Sequence, residues 1–425
     1  MPNYLKKVLL NSIEISFTLN FVGRSLSALV HLSAAALINP IEMGIINQIN
    51  SIVSIQNFLN FSGLMDLLLR GKSNLQTNFL IYRAIIGNII GYLVFLIYTI
   101  EFVEKKSIIF YPLIIGISQL PLHALYIKGS LKLKQSGRFF PLSILQLLQI
   151  VSFSLIYIEL LINKFSVYSY VIANILQLVI GLIILKLFTK NIEWKNSGVP
   201  SDNYSNKDFY QKSFWHMLYI GLSSIFFQIP IIISSQFLDA INFGYFSWGL
   251  TIASQIFLLF SSLSRNIIAP QISNQLDNES FSDKWVKSTR IKIMIYMFIV
   301  TLLALAIVRY LLPIIYSNKW DKSLPCISIL MAAMPIMSLR IITESQLIAT
   351  KKYKENALIH LLAVVIIAIS TLVGGLGNDI VQLSLSVGVG YLISSVVFIM
   401  YSYFLGINSD TEHRNIISEV EGNNL

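Results

Sequence analysis

Long apolar stretches separated by short polar turns recur from one end of the chain to the other. Twelve of them are long enough to cross the ~30 Å hydrocarbon core of a bilayer as helices. They run Glu14–Ile38, Ile46–Leu69, Asn78–Ile100, Ile108–Ile127, Phe139–Ile162, Val167–Phe188, Phe214–Phe237, Phe243–Ile267, Ile291–Ile315, Leu324–Ile348, Asn356–Val373 and Ile380–Leu405. The expected fold class is therefore an all-α polytopic membrane protein of about 12 transmembrane helices. Polar residues inside the first two stretches are not scattered. Asn20, Arg24, Ser27 and His31 fall at i, i+4, i+7 and i+11, and Asn47, Asn50, Ser54 and Asn57 at i, i+3, i+7 and i+10, which in each case is one helix face. Arg24 then sits near the bilayer midplane, where a guanidinium costs ~2.5 to well over 10 kcal/mol unless it faces water or a partner. Such stripes point to a wet cavity inside a helix bundle.

The connections divide the spans six and six. The longest, Thr189–Ser213, is polar and contains GVPSDNYSNKD. The expected organisation is an N-terminal six-helix bundle (1–188), a cytoplasmic linker (189–213), a C-terminal six-helix bundle (214–405) and a disordered cytoplasmic tail (406–425). LINPIEMG (Leu37–Gly44) and FLDAINFG (Phe237–Gly244) stand 200 positions apart, each reaching a glycine before the next helix. Spans one and seven start on the same side, so the repeats are parallel and related by an axis along the membrane normal. Two bundles around a central cavity follow.

Composition agrees. Of 425 residues, 55% are hydrophobic and 12% charged, against about 25% charged in soluble domains. The net charge of +10 would suggest nucleic acid in a soluble chain. Here the lysines and arginines concentrate in alternate connections, among them Lys128, Lys132, Lys134 and Arg138, then Lys284, Lys287, Arg290 and Lys292. That bias places both termini in the cytoplasm and leaves nucleic acid no role. Cys326 is the only cysteine, which excludes a disulfide framework and a thiolate metal site. The N-terminus MPNYLKKVLL lacks a cleavable signal pattern, so the first span serves as the anchor.

Candidate chemistry is that of binding. Amide side chains offer both donors and acceptors and suit sugar hydroxyls, whereas arginine suits a diphosphate through bidentate, charge-assisted bonds. Arg24, Asn20, Ser27, His31, Asn47, Asn50, Ser54 and Asn57 are the expected cavity lining, with Arg83 added from the third span, where snorkelling to the headgroups is the equal alternative. Glu14, Asp66 and Glu344 are the candidate ion-coupling carboxylates. Each has a plainer reading: Glu14 as a helix N-terminal charge, Asp66 as the partner of Arg70, and Glu344 as neutraliser of Arg340 one turn away. Interhelical hydrogen bonding is the plainer reading of each lone amide, and a structural role that of Arg24. Enzyme motifs fail. Gly71-Lys72-Ser73 ends like a P-loop, yet Asp66 stands where its first glycine belongs, and no HExxH or GxSxG occurs. No cofactor is expected, and transport would run on a gradient or an energised partner.

AALINPIEMGIINQINSI and FSGLMDLLLRGKS in the first half resemble the start of the polysaccharide flippases of the multidrug/oligosaccharidyl-lipid/polysaccharide exporter superfamily. The resemblance rests on Pro40, Glu42 and Gly44, with Gly63 and Leu64 before Arg70. FGYFSWGLTIASQ, APQIS, YSNKWDKSLPCISIL and SQLIATKKYK resemble the second half of that family. One departure stands out: the glycine usual before Lys-Trp is missing, and Ser317 and Asn318 stand there. The resemblance implies a V-shaped pair of six-helix bundles working by alternating access in the bacterial cytoplasmic (inner) membrane. It implies a flippase, not an enzyme, carrying undecaprenyl-diphosphate-linked oligosaccharide (an O-antigen or capsule repeat unit), with membrane lipid, a glycan polymerase and chain-length machinery as partners. A cation-coupled multidrug exporter of the same fold is the first alternative. A membrane glycan polymerase or ligase is the second, disfavoured because the outer connections are too short for a catalytic loop.

Overall fold

The computed structural model describes residues 29–59, 74–102, 109–135, 139–190, 206–263 and 283–422, with isolated positions between 19 and 27 and at 268, 271 and 272. Everything regular among them is helical. In order, the helices are α1 (29–37), α2 (Pro40–Leu59), α3 (Asn74–Phe102), α4 (Phe110–Ile117), α5 (Gln119–Gln135), α6 (Phe139–Ile162), α7 (Val167–Thr189), α8 (Asn206–Ile225), α9 (Ile229–Ser234), α10 (Ala240–Leu263), α11 (Asp283–Tyr316), α12 (Leu324–Met337), α13 (Leu339–Ala349), α14 (Tyr353–Gly375) and α15 (Ile380–Gly422). A single 3-10 turn, Asp321–Ser323, precedes α12.

Pairing α4 with α5, α8 with α9 and α12 with α13 groups the helices of the described residues into twelve segments, three of them broken. Proline accounts for two breaks. Pro121 and Pro230 lack an N–H, and their rings crowd the carbonyl four residues earlier, at Ile117, the last residue of α4, and at Phe226, the residue after α8. The third break, a 43° bend at Ser338, follows Pro335 by three residues. The fourth and tenth spans are equivalent in a 6+6 repeat, and both are broken. Among the described residues, five helices and this bent pair are long and apolar enough to cross a membrane by composition alone. The second span fails that measure because it carries the polar stripe.

The repeated octapeptides do equivalent work. Asn39 and Glu42 form a reciprocal cap on α2: the Glu42 N–H donates to Asn39 Oδ1 at 2.9 Å, and the Asn39 N–H donates to Glu42 Oε2 at 3.0 Å. At the equivalent positions, Asp239 Oδ1 accepts from the N–H groups of Ile241 (3.0 Å) and Asn242 (2.9 Å) at the start of α10. Those bonds, the Asn242 N–H first, hold the exposed Asp239 carboxyl below its usual range. Pro40 occupies the first helical position of α2, where its missing N–H costs nothing.

Two ends differ from expectation. The eighth helix begins at Asn206, inside the stretch expected as linker, and α15 continues to Gly422 through the segment expected to be disordered. Between Ile407 and Glu421 there is neither Pro nor Gly, so no helix-breaking residue stops the helix.

A polar cavity beside a glycine seam

The two halves meet along α2 and α10. A Cβ placed on Gly244 would lie 1.9 Å from the Pro40 carbonyl oxygen, and one on Gly44 would lie 2.9 Å from Phe243 Cδ1 and 3.2 Å from Gly244 Cα. Backbone therefore rests on backbone, the close approach that small residues permit between membrane helices. One turn further, Asn47 Nδ2 donates to Ser247 Oγ at 3.2 Å, again a pair 200 residues apart. Ser51 Oγ donates to Gln228 Oε1 at 2.8 Å, and Gln48 Nε2 reaches Ser235 Oγ at 3.5 Å. Gly44/Gly244 and Asn47/Ser247 thus join positions 200 residues apart across the contact between the halves.

A hook from the second half closes the same end. After α11, Tyr316 Oη donates to the Leu32 carbonyl at 2.6 Å and Trp320 Nε1 to the Ala35 carbonyl at 2.9 Å. Lys319 Nζ lies 3.4 Å and 3.5 Å from the Ala35 and Ala36 carbonyls. Ala35 and Ala36 lie in the last turn of α1, whose carbonyls have no helical partner and carry the negative end of the dipole, so a cation suits them. Burial pulls the Lys319 ammonium below its usual range, and nearby Glu42 acts the other way. Glu42 also accepts from the Ser166 hydroxyl. The hook turns through Ser317 (φ 49°) and Asn318 (φ 64°), left-handed positions that glycine takes most cheaply. The departure noted in the sequence therefore falls on a turn whose two consecutive left-handed residues favour glycine. Trp320 packs on Trp248 with ring centroids 4.3 Å apart.

Behind the seam, inside the first half, lies a cavity of about 140 Å³. Three helices each turn a polar pair toward it one turn apart: Asn50 and Ser54 from α2, Gln119 and His123 from α5, Tyr170 and Asn174 from α7. The other described lining residues are apolar, with Gly116 at the foot of α4 where a Cβ would lie 3.0 Å from Ile49 Cγ2. Asn174 is held from two sides, its Nδ2 donating to the Tyr170 carbonyl (2.9 Å) and its Oδ1 accepting from Gln177 (3.0 Å). Tyr170 stands edge-on to Phe153 and Tyr157, at 5.8 and 5.7 Å, which fixes its ring. Among the described lining residues there is no Lys, Arg, Asp or Glu.

The expected stripe on α2 is thereby divided. Asn50 and Ser54 line the cavity, whereas Asn47 binds across the seam. Ser27 and His31 are half-buried on the first span. Asn20, Arg24, Glu14 and Asp66 lie outside the described residues, as do the side chains of Asn57 and Arg83. Glu344 is buried in the other half, on α13, and accepts from the Tyr219 hydroxyl. Arg340, one turn before it, lies against the rings of Phe226 (4.3 Å), Phe398 (4.7 Å) and Phe257 (5.6 Å). Sequence reasoning missed Gln119, His123, Tyr170 and Asn174. Their signal is an i, i+4 polar pair within an apolar run, the same pattern followed on the first two spans.

A family described as "Polysaccharide biosynthesis protein" matches residues 34–325. No curated protein matches the chain. Among solved structures, the fold is similar to the lipid II flippase MurJ in an inward closed conformation, with TM-score 0.68 and 13% identity over 92% of this chain and 87% of that one. It is also similar to the Vibrio cholerae MATE transporter VcmN in the bent form, with TM-score 0.58 and 12% identity over 93% and 96% of the two chains. A MATE transporter in complex with MaD5 gives TM-score 0.58 and 10% identity over 93% and 95%.

Proposed function

The chain belongs to the polysaccharide biosynthesis protein family, and from that premise we propose that it is a flippase for undecaprenyl-diphosphate-linked oligosaccharide. The oligosaccharide is an O-antigen or capsule repeat unit, moved from the cytoplasmic to the outer leaflet of a bacterial cytoplasmic membrane. The observation that carries the reading is the convergence of three polar pairs on one cavity beside the seam between the halves. Amides and hydroxyls present donors and acceptors together, as a polyhydroxylated cargo requires. The solved lipid II flippase of similar fold supports a lipid-linked cargo. A cationic drug would favour carboxylates, and none lines the cavity among the described residues.

In this reading Arg24 grips the diphosphate, with Asn20, Ser27, His31, Asn57 and Arg83 along the glycan path. Alternating access moves the bundles 1–188 and 214–405 about the seam, Glu14, Asp66 and Glu344 are the candidates for ion coupling, and a glycan polymerase with its chain-length machinery takes the product. Deleting the gene should abolish surface glycan while lipid-linked repeat units accumulate on the cytoplasmic leaflet. Surface glycan retained at the parental level would remove the proposal.

The orientation is tested separately. With both termini cytoplasmic, reporters fused after Asn196 and after Gly406 should behave as cytoplasmic. A reporter active outside the cytoplasmic membrane at either site would overturn the topology.

A further inference from the structure

We propose that the cavity of the first half is a specificity subsite for one neutral monosaccharide unit of the cargo, and that it rejects acidic sugars. This rests on the flippase reading and adds to it which sugar is read, and where. Size is the first argument. At about 10–15 Å³ per water-sized group, 140 Å³ holds roughly ten such groups, the bulk of one sugar ring and not of two. Chemistry is the second. Three amides (Asn50, Gln119, Asn174) and two hydroxyls (Ser54, Tyr170) surround the space, and each amide pairs a donor with an acceptor, matching vicinal hydroxyls or an N-acetyl group.

Charge is the third argument. A uronic acid carboxylate placed here would lose its water without gaining a lysine or arginine among the described lining residues, and an unpaired buried charge is strongly disfavoured. His123 and Tyr170 are the titratable groups among the described lining residues. Rigidity is the fourth. Asn174 is pinned by the Tyr170 carbonyl and by Gln177, and Tyr170 by its aromatic neighbours, so these two groups are set before a ligand arrives. The ten described lining residues lie between Ile49 and Asn174, all of them in the first half.

The test uses the purified full-length protein in nanodiscs, with methyl N-acetylglucosaminide, methyl glucoside and methyl glucuronide as probes. Ligand-observed saturation-transfer NMR should report binding of the two neutral glycosides, in competition with each other, and about tenfold or more weaker binding of the glucuronide. Gln119→Leu should weaken the neutral probes by about three- to tenfold, the loss of one or two hydrogen bonds. A readout that removes no amide is alkylation of S54C in a C326A background, which the neutral glycosides should slow and the glucuronide should not. Glucuronide binding equal to the neutral probes, or neutral binding untouched by Gln119→Leu together with unslowed alkylation, would overturn the subsite. Its failure is separable from that of the flippase reading: glycan export with no glycoside in the cavity sinks only the subsite, and glycoside binding without export sinks only the flippase.

Discussion

Gly244→Val is expected to leave an inserted protein that no longer closes its seam and exports little glycan. Any Cβ at this position falls 1.9 Å from the Pro40 carbonyl oxygen, where real Cβ contacts stay beyond 3.0 Å. The obstacle is backbone, which cannot rotate aside, so α2 and α10 must part by about an ångström or more. At that separation the Asn47–Ser247 bond, already 3.2 Å, is broken and the Ser51–Gln228 bond is strained. Interhelical bonds in membranes contribute roughly 0.6–2 kcal/mol each, and overpacking costs about 1–3 kcal/mol. Together these disfavour the closed seam by a few kcal/mol, a tenfold to several-hundredfold shift in its population. Gly44→Ala is the informative contrast, because its nearest obstacle is the edge of the Phe243 ring, which can move. The measurement is disulfide formation between cysteines at Asn47 and Ser247, with Cys326 replaced. Cross-linking should be efficient on the parental background, slightly reduced with Gly44→Ala and lost with Gly244→Val. Cross-linking and export undiminished by the valine would show that the glycine contact does not hold the halves together.

The second large effect is expected at Arg24. If it grips a diphosphate with a bidentate fork, lysine substitutes poorly, because an ammonium is a point charge without that geometry. Losing one charged hydrogen bond costs roughly 1.5–3 kcal/mol, which slows transport about ten- to a hundredfold. Arg24→Ala removes the charge as well and should be worse than Arg24→Lys. The quantity to measure is surface glycan per molecule of inserted protein for the parent and both variants. The expected result is loss of export at normal abundance, with lipid-linked glycan accumulating inside. Export by Arg24→Ala at the parental rate would eliminate the grip. Loss in strict proportion to abundance would make Arg24 a structural residue.

Much of the architecture was legible in the chain because a bilayer demands long apolar helices, and that demand is written residue by residue. The sixth span was expected to start at Val167 and the fifth to run Phe139–Ile162, as α7 and α6 do. The faint octapeptide repeat was legible for the same local reason, since a helix cap and a tight approach need particular residues: Asn39 and Glu42, Asp239 and Asn242, Gly44 and Gly244. The missing glycine of the tenth-span region was equally visible, and the left-handed turn at Ser317 and Asn318 gives its meaning. Periodicity also found the polar face of α2.

Only the tertiary structure decided what that face meets. Asn47 and Asn50 are three residues apart on one helix, yet one binds Ser247 across the seam and the other lines the cavity, because α2 stands between the two. A helical pattern specifies a direction, not the neighbour found along it. Gln119, His123, Tyr170 and Asn174 came to Asn50 and Ser54 through the packing of α5 and α7 on α2, which no single-span pattern contains. The hook from Tyr316 to Trp320 onto the end of α1 joins residues more than 280 positions apart, again decided by packing alone. Sequence determined the spans and the caps, because backbone geometry and solvation act locally. Which polar groups share a cavity was decided by the fold, because that depends on distances between helices.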